Sequence, residues 1–436
     1  MSNKMLRVLP LLLLLALASM LVAPLAAQED GDTITVAPGE NVVLGLATIL
    51  SGEGLVPLGA DITRGVELAL AARPNVVIDG TEFPLTLDIQ DDLCSAEGGQ
   101  AVANYFVSQP NVVAIVGPTC SSACRAAGPI LDEAGFSTVS SSCTAVDLTA
   151  EDTGFTSFNR TTANDDAQGT QAANFIFTDL GITQIATIHD SSPYGEGLVE
   201  NVTKTFEELG GEVVFADAIN VGDTDFRNLL DSVASSGAQL IYFGGFPAEA
   251  ARIAQQRGDV GLAETPLMGA DGIYTPEFVT QAGDAAEGVY ASAPAPADSA
   301  PYDEFVALYE ETYSTAPTAA FHAYAYDGAI MLIDAIEATG SLDDSGNLVL
   351  SRAAIAEYVR AYGAEESVAG LSGPLSCAGD GECALGGIGF FQVQEGEYVR
   401  LETSADTADA DEDAAATEEA GDEMEATEEA TEEAGS

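Results

Sequence analysis

Basic residues are scarce in this chain. Thirteen Lys and Arg stand against 70 Asp and Glu over 436 residues, a formal net charge of −57. A surface of that sign repels phosphate backbones and anionic headgroups, which argues against nucleic acid or an acidic membrane as a partner. Histidine is scarcer still, with only His189 and His322. They lie far apart and no C-x2-C pair accompanies them, so a zinc site is not indicated. Neither offers an obvious base to the serines or cysteines, as nucleophilic catalysis would need. A G-x-S-x-G elbow and a G-x-x-x-x-G-K phosphate loop are both missing. No enzyme, cofactor or metal is expected.

Cysteine is also sparse, at six residues, and the compartment decides how to read it. Lys4 and Arg7 precede "LPLLLLLALASMLV" and then "APLAAQ". A basic start, an apolar core and a small-residue end read as a secretory signal over 1–27, cut near Ala27. An uncleaved anchor is the alternative, because the apolar run from Leu9 to Ala27 almost spans a bilayer. Pro10, Pro24 and the small residues favour the signal. No cysteine sits at the cleavage point to carry a lipid, and no later segment is long and apolar enough to cross a membrane. The expected mature protein is exported and soluble, in the periplasm or at the cell surface.

Cysteines in an exported chain are expected to pair. Cys377 and Cys383 flank the turn-rich "AGDGE". Cys94 follows a strand-like run and could meet Cys120 after the neighbouring one, which leaves Cys124 with Cys143.

The body alternates strand-like and helical stretches. "NVVLGLATI", "FPLTLDIQ", "NVVAIVG", "FSTVS", "QIATIHD", "EVVFADAI", "QLIYFGG" and "TPLMGA" are short Val/Ile/Leu-rich runs separated by amphipathic segments. This pattern predicts an α/β fold of parallel sheets covered on both faces. The runs fall into two groups, so two doubly wound lobes are expected. Lobe 1 is assigned to 41–161 plus 296–372, and lobe 2 to 162–295 plus 373–400. Fifteen of the 70 acids fall from Glu402 onward, and a tail over 401–436 with so little apolar content is expected to stay disordered.

In such sheets ligands sit beyond the carboxyl ends of the strands. The loops "GPTCSS", "SSSCTAVD", "HDSSPYGEG", "GGFPAE" and "GADGIY" would then converge on one cleft. Serine hydroxyls and backbone N–H groups at a helix start suit a carboxylate, and Asp271 suits an ammonium. The alternative for Ser121 is a plain helix cap.

From about Val42 to Val393 the chain resembles the extracytoplasmic solute-binding proteins of branched-chain amino acid ABC transporters, of the leucine/isoleucine/valine type. The resemblance rests on "VGPTCSSACRAAGPILDEAGFSTVSSSCTAVDLT", "IATIHDSSPYGEGL", "IYFGGFPAEAARIAQQRGDVGL", "MGADGIY", "AGDAAEGVY" and "AYAYDGAIML", taken in that order. It implies a type I periplasmic-binding-protein fold that captures an amino acid and, as a monomer, delivers it to a membrane permease. Cys94 and Cys120 match the family's disulfide. Ser121 and Thr144 match residues that hold the ligand carboxylate. Ser142 matches a position whose carbonyl takes the ammonium, and Asp271 an acid that pairs with it. Tyr194, Phe246 and Phe321 match aromatic cleft residues. Two departures stand out: Leu58 replaces a frequent tyrosine in a loop one residue longer, and Asp271 is one methylene shorter than the usual glutamate. The remaining functional alternatives are a binder of another small solute (an amide, urea or an aromatic acid) or a ligand-sensing module.

Overall fold

The run Val42–Thr48 shows no polar alternation because both of its faces are covered, and all seven residues are buried. Val42, Leu44 and Leu46 point into one apolar cluster with the helices Val56–Ala72 and His322–Thr339. Val43 and Ala47 point the other way, to Val102, Phe106 and Ile115. This two-residue period is the ordinary alternation of a strand sandwiched between helix layers. The strand sits inside a six-stranded sheet ordered Asn75–Ile78, Thr81–Asp91, Val42–Thr48, Val112–Val116, Thr138–Ser140 and Phe158–Arg160. Only the first pairing is antiparallel.

A computed structural model describes residues 33–52, 54–151 and 155–404. The expected leader and the acidic stretch beyond Ser404 lie outside the described residues.

The second sheet has seven strands, ordered Glu397–Leu401, Gly387–Gln394, Tyr290–Ala295, Leu267–Gly269, Leu240–Gly244, Gln184–His189 and Glu212–Ala218. Its faces divide in the same way. Ile241 and Phe243 enter one cluster with Ala186 and Ile188, while Leu240 and Tyr242 enter another with Ile185, Leu198 and Val202. The chain passes between the sheets three times: after Arg160, after Ala295 and ahead of Gly387. The architecture is thus two doubly wound lobes. In each, the strand order reverses beside the first parallel strand, Val42–Thr48 in one and Gln184–His189 in the other. Ligand crevices form at such reversals.

Four features differ from the expectation. Residues 373–386, assigned to lobe 2, pack with the first lobe, where Leu375, Cys377 and Cys383 join its core. The strand Thr33–Val36 lies ahead of residue 41 and pairs antiparallel with Leu348–Ser351, burying Ile34 and Val36 in the first lobe's core. Four residues with two buried side chains are too short a pattern to read in advance. The strand Glu397–Leu401 continues the second sheet, and the Ser404 backbone N–H donates to Asp179 Oδ1 at 2.7 Å. Ordered contact therefore runs past residue 400, into the stretch expected to be disordered. "GVYASAPAPADSAP" holds the strand Tyr290–Ala295, where the prolines concealed a partner for the antiparallel Gly387–Gln394.

All three cysteine pairs form: Cys94–Cys120, Cys124–Cys143 and Cys377–Cys383. The first two brace the loops at the carboxyl edge of the first sheet. Gly65 marks where helices Val56–Ala72 and His322–Thr339 approach, because a Cβ there would run into the His322 carbonyl and Ala325. Overpacking of this kind costs about 1–3 kcal/mol. Gly65→Ala should therefore lower the midpoint of denaturant unfolding at unchanged m-value, and an unchanged midpoint would contradict this helix contact.

Candidate ligand site

The strand Val112–Val116 delivers the chain to Gly117, whose φ of 97° lies in the left-handed region that glycine tolerates. The turn points Thr119–Ser121 into the space between the lobes. It is held by Asp92, a buried carboxylate that accepts from the backbone N–H of Thr119 at 2.6 Å and of Cys94 at 2.9 Å. The Cys94–Cys120 bridge locks the same point covalently. Cys120, not Ser121, caps the helix Ser121–Glu133, and it does so without a side-chain hydrogen bond. The Ser121 hydroxyl instead accepts from the backbone N–H of Ala145 at 3.1 Å. It thereby ties the helix start to the loop carrying Ser142 and Thr144. A plain cap is not its role.

Residues from both lobes line one tight cavity of about 10 Å³: Leu58, Thr119–Ser121, Ser142, Tyr194, Phe246, Asp271 and Phe321. Seven of the eight expected residues thus meet at one point. Tyr194 and Phe246 stand at the starts of helices Pro193–Glu208 and Pro247–Gln256, with ring centroids 5.4 Å apart. Asp271 follows the strand Leu267–Gly269. Thr144, the eighth, does not line the cavity. It is fully buried behind the wall, with its hydroxyl acting on the Asp165 carboxyl and its carbonyl accepting from the Asp165 N–H at 2.9 Å. The Ser142 hydroxyl donates to the Thr119 carbonyl at 2.8 Å, so it holds the wall together.

Asp271 carries the site's charge. Its Oδ1 accepts from the Tyr194 hydroxyl at 2.9 Å, and that oxygen in turn accepts from the Gly272 N–H at 3.0 Å. Burial pushes the Asp271 carboxyl up to about 6, against the pull of the Tyr194 hydrogen bond. A second acid shares this environment, and the sequence reading missed it. Asp165 starts the helix Asp165–Asn174, is fully buried, and has neither carboxylate oxygen in a well-aligned hydrogen bond. Burial and then the neighbouring Asp271 charge push it up to about 8, which the Thr144 hydroxyl and Arg160 offset only in part. Asn164 caps this helix, its side chain accepting from the Asp166 and Ala167 N–H groups, and such a cap carries no sequence signal that the next acid is dry.

The arrangement therefore sets hydroxyl and amide donors on one side, a carboxyl group on the other, and Leu58, Phe246 and Phe321 as an apolar wall between them. Such a chamber suits a small zwitterion with an apolar side chain. A family model described as periplasmic binding protein matches residues 41–396. The chain belongs to the periplasmic binding protein family. Among curated members, the leucine-, isoleucine-, valine-, threonine- and alanine-binding protein of Pseudomonas aeruginosa is 32% identical over 255 residues, 58% of this chain and 67% of the relative. The Leu/Ile/Val-binding protein homolog 1 of Brucella abortus is 31% identical over 305 residues, covering 70% of this chain and 80% of its own. Among solved family members, the leucine binding protein LivK of Thermotoga maritima superposes with a TM-score of 0.74 at 26% identity, over 83% of this chain and 98% of that one.

The candidate site lies at the junction of the two lobes. Among the described residues, no helix is long and apolar enough to cross a membrane, and no group of three or more His, Cys, Asp or Glu could hold a metal ion.

The Asp165 carboxyl has a folded value raised above its ordinary 3.8 to about 8. Its contribution to ligand-free stability is therefore full below about pH 4 and is lost as pH rises to about 8. Asp165→Asn cannot ionise. Its melting temperature relative to wild type should climb between pH 4.5 and 8, and a difference that stays constant with pH would refute a dry carboxyl there.

Proposed function

We propose that this protein is the extracytoplasmic receptor of an ABC transporter, capturing a branched-chain or other apolar amino acid between its lobes without chemical change. The observation that carries the reading is the opposition of Ser121 and Asp271 across one apolar-walled cavity. The ligand carboxylate would meet the Ser121 hydroxyl and the helix start, and its ammonium would meet Asp271 and the Ser142 carbonyl. Thr144, behind the wall, would serve the site indirectly, through its contacts with Asp165. Leu58, Phe246 and Phe321 would pack on the side chain, with Tyr194 orienting Asp271. The relatives' names, a leucine-, isoleucine-, valine-, threonine- and alanine-binding protein and a Leu/Ile/Val-binding protein homolog, support this choice of ligand class.

The physical sequence is capture on one lobe followed by closure of the second about the three crossings. A buried ion is tolerated only when it is paired and hydrogen-bonded, so closure is favourable when a zwitterion satisfies both ends of the chamber. An uncharged amide or urea would leave Asp271 without a counter-ion. The closed protein, a monomer in this reading, would then dock on the membrane permease.

Calorimetric titration of ligand-stripped protein against leucine, isoleucine, valine, alanine, phenylalanine, glutamate, urea and acetamide tests the reading. Binding confined to apolar amino acids is expected, and binding only to urea or acetamide would overturn it. Asp271→Ala should weaken leucine by about 2–5 kcal/mol, as expected for stranding a buried ammonium. Tyr194→Ala removes packing more than charge pairing and should cost about 1–3 kcal/mol. A Tyr194→Ala loss exceeding that of Asp271→Ala would contradict the charge pairing. Because the free Asp271 carboxyl sits at about 6, an ammonium must displace a proton from it at lower pH. Leucine affinity should fall as pH drops from 7 to 5, and a pH-independent dissociation constant over that range would remove Asp271 from the ammonium site.

A further inference from the structure

Arg160 is fully buried, and its guanidinium reaches in two directions. Toward the cavity, Nη1 donates to the carbonyls of Cys143 at 2.8 Å and Ala145 at 2.9 Å, the two that flank Thr144. Away from it, Nε and Nη2 donate to Glu382 Oε1 at 3.0 and 2.7 Å, and Nη2 also donates to the Thr149 hydroxyl at 2.6 Å. The Thr149 hydroxyl donates to the same Glu382 oxygen. Glu382 belongs to the small turn closed by the Cys377–Cys383 disulfide. That turn also grips the Arg160 backbone: the Arg160 N–H donates to Gly381 at 2.8 Å, and the Cys383 N–H donates to the Arg160 carbonyl at 3.0 Å. Beyond it the chain crosses into the second lobe, starting the strand Gly387–Gln394.

We infer that Arg160 and Glu382 are positioning residues for the Ser142–Ala145 loop, and that the disulfide-closed turn 377–383 sets ligand affinity from the lobe crossing without touching the ligand. The inference rests on the amino-acid-binding reading above. A dry guanidinium must keep its donors paired and its charge countered. The side chain of Glu382, with 28% exposure, is its salt-bridge partner and the more accessible of the two groups. Weakening Glu382 frees the guanidinium to re-seat, and the carbonyls of Cys143 and Ala145 move with it. The loop is also tied by Cys124–Cys143, by the Ala145 N–H on Ser121, by the Ser142 hydroxyl on the Thr119 carbonyl and by the Asp165 N–H on the Thr144 carbonyl, and the guanidinium is the tie that joins it to the 377–383 turn. The crossing is also the segment that must flex during closure, so the loop's geometry and the lobe movement share one anchor.

Glu382→Gln keeps shape and removes charge, and Cys377→Ser/Cys383→Ser opens the turn. Leucine titration and amide hydrogen exchange across Ser142–Ala145 of the ligand-free protein read both variants, with Gly65→Ala as a control destabilised elsewhere. Each variant should raise the leucine dissociation constant about tenfold, roughly the effect of losing one charged hydrogen bond. Exchange across the loop should accelerate in the same variants, while Gly65→Ala changes neither readout by more than about twofold, within ordinary mutational scatter. Unchanged exchange and affinity in both variants would overturn the inference, as would an equal loss of affinity in Gly65→Ala. Wild-type protein that binds no amino acid would defeat the functional reading alone, because loop exchange still decides whether the turn holds the loop.

Discussion

A carboxyl group removed from water either finds a positive partner or holds on to its proton, and much of this molecule is arranged around that constraint at Asp271. The residue sits where two sheets present their carboxyl edges to each other, with the Tyr194 hydroxyl as its hydrogen-bond donor. Asp165 close by makes full ionisation harder still, since two negative charges would share one dry region. The ligand-free chamber is thus short of positive charge, and in the proposed reading an ammonium would supply it. Selection would then be electrostatic first, with the apolar wall choosing among side chains afterwards.

The opposite side of the chamber is built for rigidity. Asp92, the Cys94–Cys120 and Cys124–Cys143 bridges, the Ser121–Ala145 hydrogen bond and the Arg160 guanidinium all converge on two short loops. Each of those loops leaves a buried parallel strand whose two faces are packed, so its starting point cannot drift. Preorganised donors lose less entropy on binding than flexible ones. In the proposed reading, a rigid first lobe and a second lobe carrying Tyr194, Phe246 and Asp271 would divide the work between docking and enclosure.

Most of the fold was legible in local pattern. Unbroken runs such as "NVVAIVG" and "QLIYFGG" could only be strands covered on both sides, and the amphipathic stretches between them could only be the covering helices. The resemblance to amino-acid-binding proteins then pointed to the residues now found around the cavity, including Leu58, whose place in the first turn of Val56–Ala72 keeps the wall apolar where a tyrosine often stands. Short elements escaped notice. Thr33–Val36 has meaning only once Leu348–Ser351 lies beside it, more than 300 residues later in the chain.

The amino-acid sequence by itself determined the α/β alternation, the acidic surface, the expectation that the cysteines pair and the loops that could bear ligand. These follow from period, composition or local spacing, while bridges such as Cys94–Cys120 and Cys124–Cys143, 26 and 19 residues apart, needed the fold to bring them together. Burial and orientation across the lobe junction were left to tertiary structure. It made Ser121 a tie to Ala145 instead of a cap, set Thr144 behind the cavity wall, brought Asp165 beside Asp271, and joined Arg160 to a disulfide turn more than 200 residues away. Dryness and long-range hydrogen bonding depend on which surfaces meet, and no local stretch of sequence carries that information.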